Sequence, residues 1–206
     1  MKVIFSTALI NRNFERRKQE YVESYNKLCE YVNKEDIIII EGYLQKSRTF
    51  LDDLNNNVHY SEFSTNYTDN LNNKGVKEFN SYKDFLLNTE LDNNTKMFKI
   101  TGRYLLLSSD FLNFCRNEEN DYDAFVCRVP NGQIFTGCFC MKLKYLKDLI
   151  FNYVDYDDIE EKMECVERIV GNYLINRNLK IFYKNYPEDR INIKCLIGES
   201  TYFSYY

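Results

Sequence analysis

The segment Asp36-Ile-Ile-Ile-Ile-Glu41 places four consecutive isoleucines between two charged residues. A short run of β-branched side chains is typical of a strand that is buried on both faces, as in a parallel sheet. Upstream, residues 2–8 form a second short apolar run and predict another strand. Between the two runs, apolar residues recur every three to four positions and predict a helix over 14–32, with Asn11 or Asn13 as its cap. Strand, helix and strand in this order predict a βαβ unit, and hence an α/β fold.

The rest of the chain continues this mixture of strands and helices. Further strands are predicted at 57–63, 96–101, 123–129, 133–141, 180–183 and 191–197. Further helices are predicted at 76–87, 144–154 and 158–176, the last with Asp157 or Asp158 as its cap. Pro130-Asn-Gly132 predicts a hairpin turn between two of these strands. We therefore expect one domain over residues 1–206, with a mixed sheet flanked by helices.

Charge and histidine content exclude several classes of function. The chain has 206 residues, 27 Lys and Arg against 31 Asp and Glu, and a net charge of −4, which argues against a general nucleic-acid binder. His59 is the only histidine, so neither a Ser-His-Asp nor a Cys-His centre can form unless His59 serves in it. There is no P-loop and no G-x-G-x-x-G sequence.

Cysteine usage and hydropathy predict the setting of the protein. The seven cysteines lack the spacing of a disulfide framework or a zinc ribbon, and we expect small, buried, reduced thiols and a cytoplasmic protein. No apolar run approaches the roughly 20 residues that a transmembrane helix needs. We therefore expect no transmembrane segment.

Polar and cationic residues gather where the predicted strands end. Ligands of open α/β sheets bind at the carboxyl ends of the strands. Ser6 and Thr7 end the first strand, and Arg16 and Arg17 follow in the next helix, where hydroxyls, a helix N-terminus and guanidinium groups could hold a phosphate or a base. Glu41 ends the second strand and could bind the hydroxyls of a nucleotide. The alternatives are a solvated helix face for the two arginines and an ordinary strand-end residue for Glu41.

Two further segments place lysine or arginine beside glycine. Asn73-Lys74-Gly75 precedes a predicted helix, so that the lysine could approach a diphosphate closely. In Lys99-Ile-Thr-Gly-Arg-Tyr104, strand alternation sets Lys99, Thr101 and Arg103 on one side, with Gly102 giving room for a ligand. These two cations could neutralise a pyrophosphate leaving group. The alternative for Arg103 is a structural ion pair with a carboxylate.

These segments also carry a resemblance to a known family. K-I-T-G-R-Y at 99–104, N-K-G-V-K-E at 73–78 and R-K-Q-E-Y-V-E-S at 17–24 resemble small glycosyltransferase-like proteins of large DNA viruses and of bacterial surface-polysaccharide loci, over roughly residues 1–150. The resemblance implies a GT-A-like fold with a nucleotide-sugar half over 1–105 and an acceptor half over 106–206. It implies transfer of a sugar from a nucleoside-diphosphate sugar to a carbohydrate or glycoprotein acceptor, in the host cytoplasm if the chain is viral. Gly102 and Tyr104 would then belong to the donor-binding set.

The metal and the catalytic base of such an enzyme stay open. Proteins of this fold usually hold Mn²⁺ or Mg²⁺ with an Asp-x-Asp motif at a strand end. Here Asp121-Tyr-Asp123 precedes a strand, and Asp155-Tyr-Asp157-Asp158 is better suited to helix capping. Asp110 and Asp123 are therefore weak candidates for metal ligands, and together with Glu41 they are the candidates for the base that takes the acceptor's proton. Lys99 and Arg103 could neutralise the leaving group in place of a metal.

Two other functions remain as alternatives. The chain could be a non-catalytic relative of the same fold that binds a glycan or a protein, since no Asp-x-Asp motif is well placed. It could also process nucleic acid or bind a nucleotide alone. The acidic net charge makes that last function the least favoured, so we expect no nucleic-acid partner.

Overall fold

The computed structural model describes residues 1–9, 14–42, 48–61, 73–129, 133–185, 189, 191–196 and 203–205, and only the backbone of residues 74, 195–196 and 203–205. The candidate caps Asn11 and Asn13 and the turn Pro130-Asn-Gly132 lie outside these ranges. The strands are β1 Lys2–Thr7, β2 Ile37–Glu41, β3 Val58–Tyr60, β4 Lys96–Thr101, β5 Leu105–Leu106, β6 Ala124–Arg128, β7 Cys138–Lys142, β8 Ile181–Asn185, β9 Ile193–Leu196 and β10 Phe203–Tyr205. The α-helices are α1 Phe14–Cys29, α2 Leu51–Leu54, α3 Lys74–Asn88, α4 Asp110–Arg116, α5 Leu143–Asp148, α6 Tyr156–Lys162 and α7 Val166–Asn176. A 3₁₀ turn at Lys34–Asp36 precedes β2, and a π-helical turn at Leu149–Tyr153 follows α5.

Seven strands form one mixed sheet in the order β3-β2-β1-β4-β7-β6-β8. The strands β1, β2, β3 and β4 run parallel, as do β6 and β8, whereas β7 is antiparallel to both of its neighbours. A second, three-stranded antiparallel sheet has the order β10-β9-β5. The strand order reverses between β1 and β4, since β2 and β3 extend the sheet on one side and β4 begins the other.

Helices cover both faces of the large sheet. On one face Ile37 and Ile39 pack in a core with residues of α1, α2 and α4, and on the other Ile38 and Ile40 pack with residues of α3, α5 and α7. All four isoleucines are at most 3% exposed. The prediction of a strand buried on both faces, and of a mixed sheet flanked by helices, is confirmed.

The predicted helix over 158–176 is wrong in one respect, because it is two helices. The chain breaks after α6 at Met163, which adopts a left-handed conformation with φ 50°. The carbonyl of Glu164 in the break accepts a hydrogen bond from Asn73 Nδ2 at 2.8 Å, so a contact from α3 satisfies the interrupted backbone. The observed cap of α6 is Asp155, whose side chain accepts from the Asp158 N–H. It replaces the predicted caps Asp157 and Asp158.

Other differences are smaller. The short elements α2, α4, β5 and β10 were not predicted, and β7 begins later than the predicted strand over 133–141. Cys115, Cys138 and Cys140 are buried, as predicted, whereas Cys29 and Cys165 are only half-buried, and none of these five forms a disulfide with a described residue. Across the described ranges, no helix combines the length and the apolar character that a bilayer crossing requires. The division of the chain at residue 105 stays a prediction.

Candidate active-site cleft

A cleft of about 710 Å³ opens where β1 and β4 end. Ser6 and Thr7 line it from the end of β1, and Lys99 and Thr101 line it from the end of β4. This is the point at which the strand order reverses, and crevices at such switch points are the usual ligand sites of open α/β sheets. The walls come from α1, α3, the segment after β4, the segment before β7 and the α6–α7 connection, with Arg17, Tyr21, Gly75, Lys77, Glu78, Arg103, Tyr104, Phe135, Thr136, Glu164 and Glu167 among the lining residues.

Lys99 forms part of the cleft floor and is fully engaged there. Its ammonium lies 2.8 Å from Glu78 Oε1 and donates to Thr101 Oγ1 at 2.9 Å and to the Thr136 carbonyl at 2.6 Å. A lysine has three N–H donors, so all three have an acceptor. Only 3% of the Lys99 side chain is exposed. Lys99 therefore has no donor left for a diphosphate in this arrangement, and its binding role stays a prediction.

Glu78 is one of the cleft residues that the sequence did not single out, and Lys77 and Glu167 are others. Its Oε1 atom accepts hydrogen bonds from Ser6 Oγ and from the Tyr82 hydroxyl, each at 2.9 Å, besides the ion pair with Lys99. Burial alone would raise the pKa of the Glu78 carboxyl, but the charge of Lys99 and the three hydrogen bonds outweigh burial and bring the pKa below its usual value of 4.5. Glu78 therefore stays ionised at neutral pH.

Three other cations line the cleft with donors to spare. Arg17 donates from Nη1 to the Ala8 carbonyl at 3.1 Å, and Lys77 has no side-chain partner within the described ranges. Arg103 Nη1 is buried without a hydrogen bond to any described residue, since Glu20 Oε2 lies 3.9 Å away. That distance is too long for a hydrogen bond, so the ion pair of Arg103 is loose. These side chains supply the positive charge of the cleft.

Arg16 and Arg103 share the carboxylate of Glu20 from opposite sides. Arg16 Nε lies 3.2 Å from Glu20 Oε1, in an ion pair within α1, and Arg16 is not part of the cleft lining. The adjacent Arg17 lines the cleft in its place. Of the two arginines that the sequence placed near the first strand end, it is Arg17 that reaches the candidate site.

Asn73 and Gly75 serve the packing of α3. Asn73 Oδ1 caps the helix by accepting from the Gly75 and Val76 N–H groups at 3.0 and 3.4 Å. A Cβ atom on Gly75 would overlap Val166 Cγ1, so the absence of a side chain lets α3 approach α7 closely. Both residues line the cleft, but these contacts and not a ligand account for their identity. The Lys74 side chain lies outside what the structure describes.

Gly102 and Tyr104 follow β4 in different surroundings. The Gly102 N–H donates to the Ser6 carbonyl at 2.7 Å, and a Cβ atom there would come within 2.9 Å of the rings of Phe5 and Tyr21. Gly102 is therefore buried beneath the cleft. The Tyr104 ring lies in the cleft wall and stacks on Phe135, with ring centroids 5.8 Å apart and planes inclined by 10°.

The structure places three predicted carboxylates away from the cleft lining. Glu41 is 0% exposed and accepts hydrogen bonds from Thr7 Oγ1 and the Leu9 N–H, so it holds the chain that leaves β1. Asp110 is exposed at the start of α4. Asp123 precedes β6 and pairs with Lys142 at 3.0 Å. These positions correct the expectations that Glu41 binds the hydroxyls of a nucleotide, that one of the three carboxylates is the base for the acceptor's proton, and that Asp110 or Asp123 holds a metal in this cleft.

The position of Asp123 follows from strand direction. Lys142, its partner, is opposite Lys96 in the register of β4 and β7. Lys96 begins β4, whereas the cleft lies at the other end of that strand. Asp123 therefore lies at the far edge of the sheet.

The cleft residues do not match a Mn²⁺ or Mg²⁺ site. In the parts of the chain that the structure describes, no three His, Cys, Asp or Glu side chains group as metal ligands would. The three cleft carboxylates each have another partner: Glu78 has Lys99, Glu164 has Arg168 at 3.0 Å and Glu167 has Thr136 at 2.9 Å. Hard divalent cations need several oxygen ligands around one point. We therefore assign no step of any reaction to a metal.

No protein-family model matches the sequence, and no curated protein matches it either. Solved structures do resemble it. A protein from Desulfovibrio desulfuricans G20 assigned as a nucleotide-diphospho-sugar transferase aligns over 90% of this chain and 80% of its own, with 7% identity and a TM-score of 0.54. The galactosyltransferase LgtC, solved with donor and acceptor sugar analogues, aligns over 90% and 73%, with 9% identity and a TM-score of 0.54. A Bacillus anthracis protein assigned as a glucose-1-phosphate thymidylyltransferase, solved with a sucrose, aligns over 90% and 86%, with 14% identity and a TM-score of 0.55.

Identities this low establish the fold and nothing finer. The three structures are those of sugar-transferring or nucleotidyl-transferring proteins, and each covers nearly the whole of this chain. The seven-stranded mixed sheet with helices on both faces is therefore the GT-A-like fold of nucleotide-diphospho-sugar transferases.

Proposed function

We propose that the protein is a glycosyltransferase that moves a sugar from a nucleoside-diphosphate sugar to a hydroxyl of a carbohydrate or protein. One observation carries this proposal: Arg17, Lys77 and Arg103 line a cleft at the switch point of a GT-A-like sheet, with donors not used by described residues. The resemblance of the 99–104 segment to small viral and bacterial glycosyltransferase-like proteins supports it. Buried thiols without disulfides support a cytoplasmic setting.

In this proposal the three cations bind the diphosphate. A guanidinium can hold two phosphate oxygens at once, and the buried Nη1 of Arg103, to which no described residue offers a hydrogen-bond acceptor, is available to an anion. As the bond from the anomeric carbon to the diphosphate oxygen breaks, negative charge grows on the leaving group. Fixed cations stabilise that charge most strongly in a cleft from which water is partly excluded. These three cations thus stabilise the charge of the leaving diphosphate, a task that a bound metal ion performs in other enzymes.

The oxygen of the acceptor hydroxyl attacks the anomeric carbon and forms the new bond. A base must take up the proton that this hydroxyl loses. Glu78 is a weak base because its pKa is lowered, and Glu164 is paired with Arg168. Glu167 has only the neutral hydroxyl of Thr136 as its partner among described residues. It is therefore the cleft carboxylate that we assign to accept the proton.

Titration calorimetry with UDP, GDP and dTDP, and with a hexose derivative of each, tests the proposal. We expect one nucleotide to bind without Mn²⁺. Arg103→Met should weaken its binding about tenfold, the effect of losing one or two charge-assisted hydrogen bonds. Arg116→Met is the matched control, because Arg116 is exposed at the end of α4 and its one side-chain hydrogen bond to a described residue is with the Tyr31 carbonyl. If none of the nucleotides binds, with or without Mn²⁺, the proposal is wrong.

A second candidate function is a non-catalytic protein that binds a glycan or a nucleotide sugar. The observation in its favour is that every described cleft carboxylate already has a partner. Release of nucleoside diphosphate from a bound sugar nucleotide, measured over hours with a panel of mono- and disaccharide acceptors, separates the two. Binding without any release favours the non-catalytic protein.

A further inference from the structure

The two carboxylate oxygens of Glu78 have different surroundings. Oε1 receives three donors, from Lys99 at 2.8 Å and from Ser6 and Tyr82 at 2.9 Å each. Oε2 has no hydrogen-bond partner among the described residues, and it is not one of their buried unsatisfied atoms. The Glu78 side chain is 25% exposed, whereas its partner Lys99 is 3% exposed. Oε2 is therefore accessible to solvent, and Glu78 is one of the residues that line the cleft.

The position of Glu78 is central to the cleft. Its two strand partners, Ser6 and Lys99, lie on β1 and β4, the strands between which the order of the sheet reverses. The next residue before it, Lys77, is one of the three cations with a free donor. Both side chains line the cleft, so a diphosphate held by Lys77 and the other two cations leaves the attached sugar within reach of Glu78.

The chemistry of Oε2 is restricted by the contacts of Oε1. An ionised carboxylate can only accept hydrogen bonds, and three donors on Oε1 fix the direction in which Oε2 points. Lys99 balances the charge of Glu78, so the pair as a whole does not repel an incoming diphosphate. Sugar hydroxyls are the groups on a nucleoside-diphosphate sugar that can donate to such an oxygen.

Resting on the proposed function, we propose that Glu78 binds the transferred sugar, with Oε2 accepting hydrogen bonds from its hydroxyls, and that this sugar is neutral. A sugar carboxylate can only accept hydrogen bonds, so in place of a hydroxyl it would set an anionic oxygen directly against Oε2 with no proton between them. Like charges at short range are strongly unfavourable where water is scarce. Uronic acids are therefore poor donors for this site.

The test compares affinities within one protein. Dissociation constants are measured by calorimetry for UDP, UDP-glucose and UDP-glucuronate, or for GDP, GDP-mannose and GDP-mannuronate if GDP is the nucleotide bound. For the wild type we expect UDP-glucose to bind at least about tenfold more tightly than UDP-glucuronate. Glu78→Gln also leaves the charge of Lys99 without its partner, so affinities are compared with that of UDP in the same variant. Relative to UDP we expect the affinity for UDP-glucose to fall about tenfold, and the discrimination against UDP-glucuronate to shrink.

A second variant keeps the carboxylate in case Glu78→Gln does not fold. Tyr82→Phe removes one donor to Oε1 and leaves Glu78 ionised, and Tyr82 itself is 1% exposed and not part of the cleft lining. We expect the affinity for UDP-glucose to fall about threefold and the affinity for UDP to stay the same. Tyr173→Phe is the matched control: Tyr173 is a buried tyrosine of the same core whose hydroxyl has two acceptors, the Tyr145 carbonyl at 2.9 Å and Asp148 Oδ2 at 3.1 Å, and removal of this hydroxyl should alter neither affinity.

The outcomes separate this inference from the proposed function. If UDP binds and Glu78→Gln weakens UDP and UDP-glucose equally, or neither, the inference is overturned and the proposed function stands. Equal binding of UDP-glucose and UDP-glucuronate to the wild type also overturns it. If no nucleoside diphosphate binds, both fall together.

Discussion

The replacement Gly75→Ala tests the close approach of α3 to α7, which forms one wall of the cleft. A Cβ atom on Gly75 would overlap Val166 Cγ1 and lie 3.0 Å from both Val166 Cβ and Val166 Cγ2. Val166 is 7% exposed and begins α7, and a valine in a helix has one strongly preferred rotamer, so turning its side chain away from the new methyl group also costs energy. We therefore expect a destabilised protein although alanine is the better helix former.

The size of the effect follows from two opposing contributions. Forcing an extra methyl group into a packed contact costs about 1–3 kcal/mol. Alanine in place of glycine within a helix returns up to about 1 kcal/mol. Because the added Cβ overlaps Val166 Cγ1 outright, we take the upper part of that cost, about 2–3 kcal/mol. The net loss is then about 1–2 kcal/mol, which for a domain of this size lowers Tm by roughly 2–8 °C.

Thermal and urea unfolding of four variants measure this contribution. Gly171→Ala is the control of opposite sign: Gly171 lies inside α7, and a Cβ there would meet only Ile134 Cγ1 at 3.6 Å, an ordinary contact. We expect it to gain about 0.5–1 kcal/mol. Val166→Ala, alone and combined with Gly75→Ala, completes a double-mutant cycle in which the pair loses less than the sum of the single losses. A Gly75→Ala protein as stable as the wild type would refute the reasoning.

Three further predictions concern the groups around the cleft. Asn73→Ala should lower the unfolding free energy by about 1–2 kcal/mol because it removes the cap of α3. Asn73→Asp should restore only part of that stability, since a carboxylate can cap the helix but cannot donate to the Glu164 carbonyl. Urea unfolding of both variants measures the two effects. Lys99→Met should cost roughly 3 kcal/mol at neutral pH by leaving Glu78 unpaired. In the wild type the lowered pKa of Glu78 stabilises the folded protein, and this stability is lost as the pH falls through that pKa. In the variant, burial without Lys99 raises the pKa of Glu78, so the difference in unfolding free energy between wild type and variant should shrink below pH 4.5. A difference that stays constant with pH in urea unfolding would contradict this. Burial raises the pKa of Tyr21 to about 12, so the contribution of neutral Tyr21 to the unfolding free energy should be complete below pH 10 and should decline between pH 10 and about 12. Tyrosinate absorbance and circular dichroism follow this loss of stability, which should be shallower in Tyr21→Phe.

Local signals explain why most of the central sheet could be predicted. The isoleucines of β2 and the apolar run of β1 are long enough to show burial on both faces, and the spacing within α1 shows its buried side. The break between α6 and α7 could not be seen in the same way. Ile159, Met163 and Val166 keep helical spacing across it, and it is a contact from Asn73, distant in sequence, that stabilises the interruption.

The candidate site was predictable where it depends on alternation along one strand. Lys99, Thr101 and Arg103 do line one cleft, because β4 ends there. The partner of Lys99 was not predictable, since Glu78 lies on a helix and only the packing of α3 on β4 brings the two together. Asp123 was misplaced because its edge of the sheet depends on strand direction in β6 and β7, which no local pattern reveals.

The ion pair on the cleft floor has a consequence for the divergence of this chain. Lys99 directs each of its donors to a fixed acceptor, and one of these is the oxygen that also orients Ser6 and Tyr82. Losing one of the two charges would leave the other without its partner. Substitutions at positions 78 and 99 should therefore occur together during evolution, or not at all. Lys77 at the rim of the cleft has no such partner among the described residues, so the residue type at this position can change when the ligand changes. Coevolution confined to the floor, beside variation at the rim, is the pattern that relatives of this protein should display.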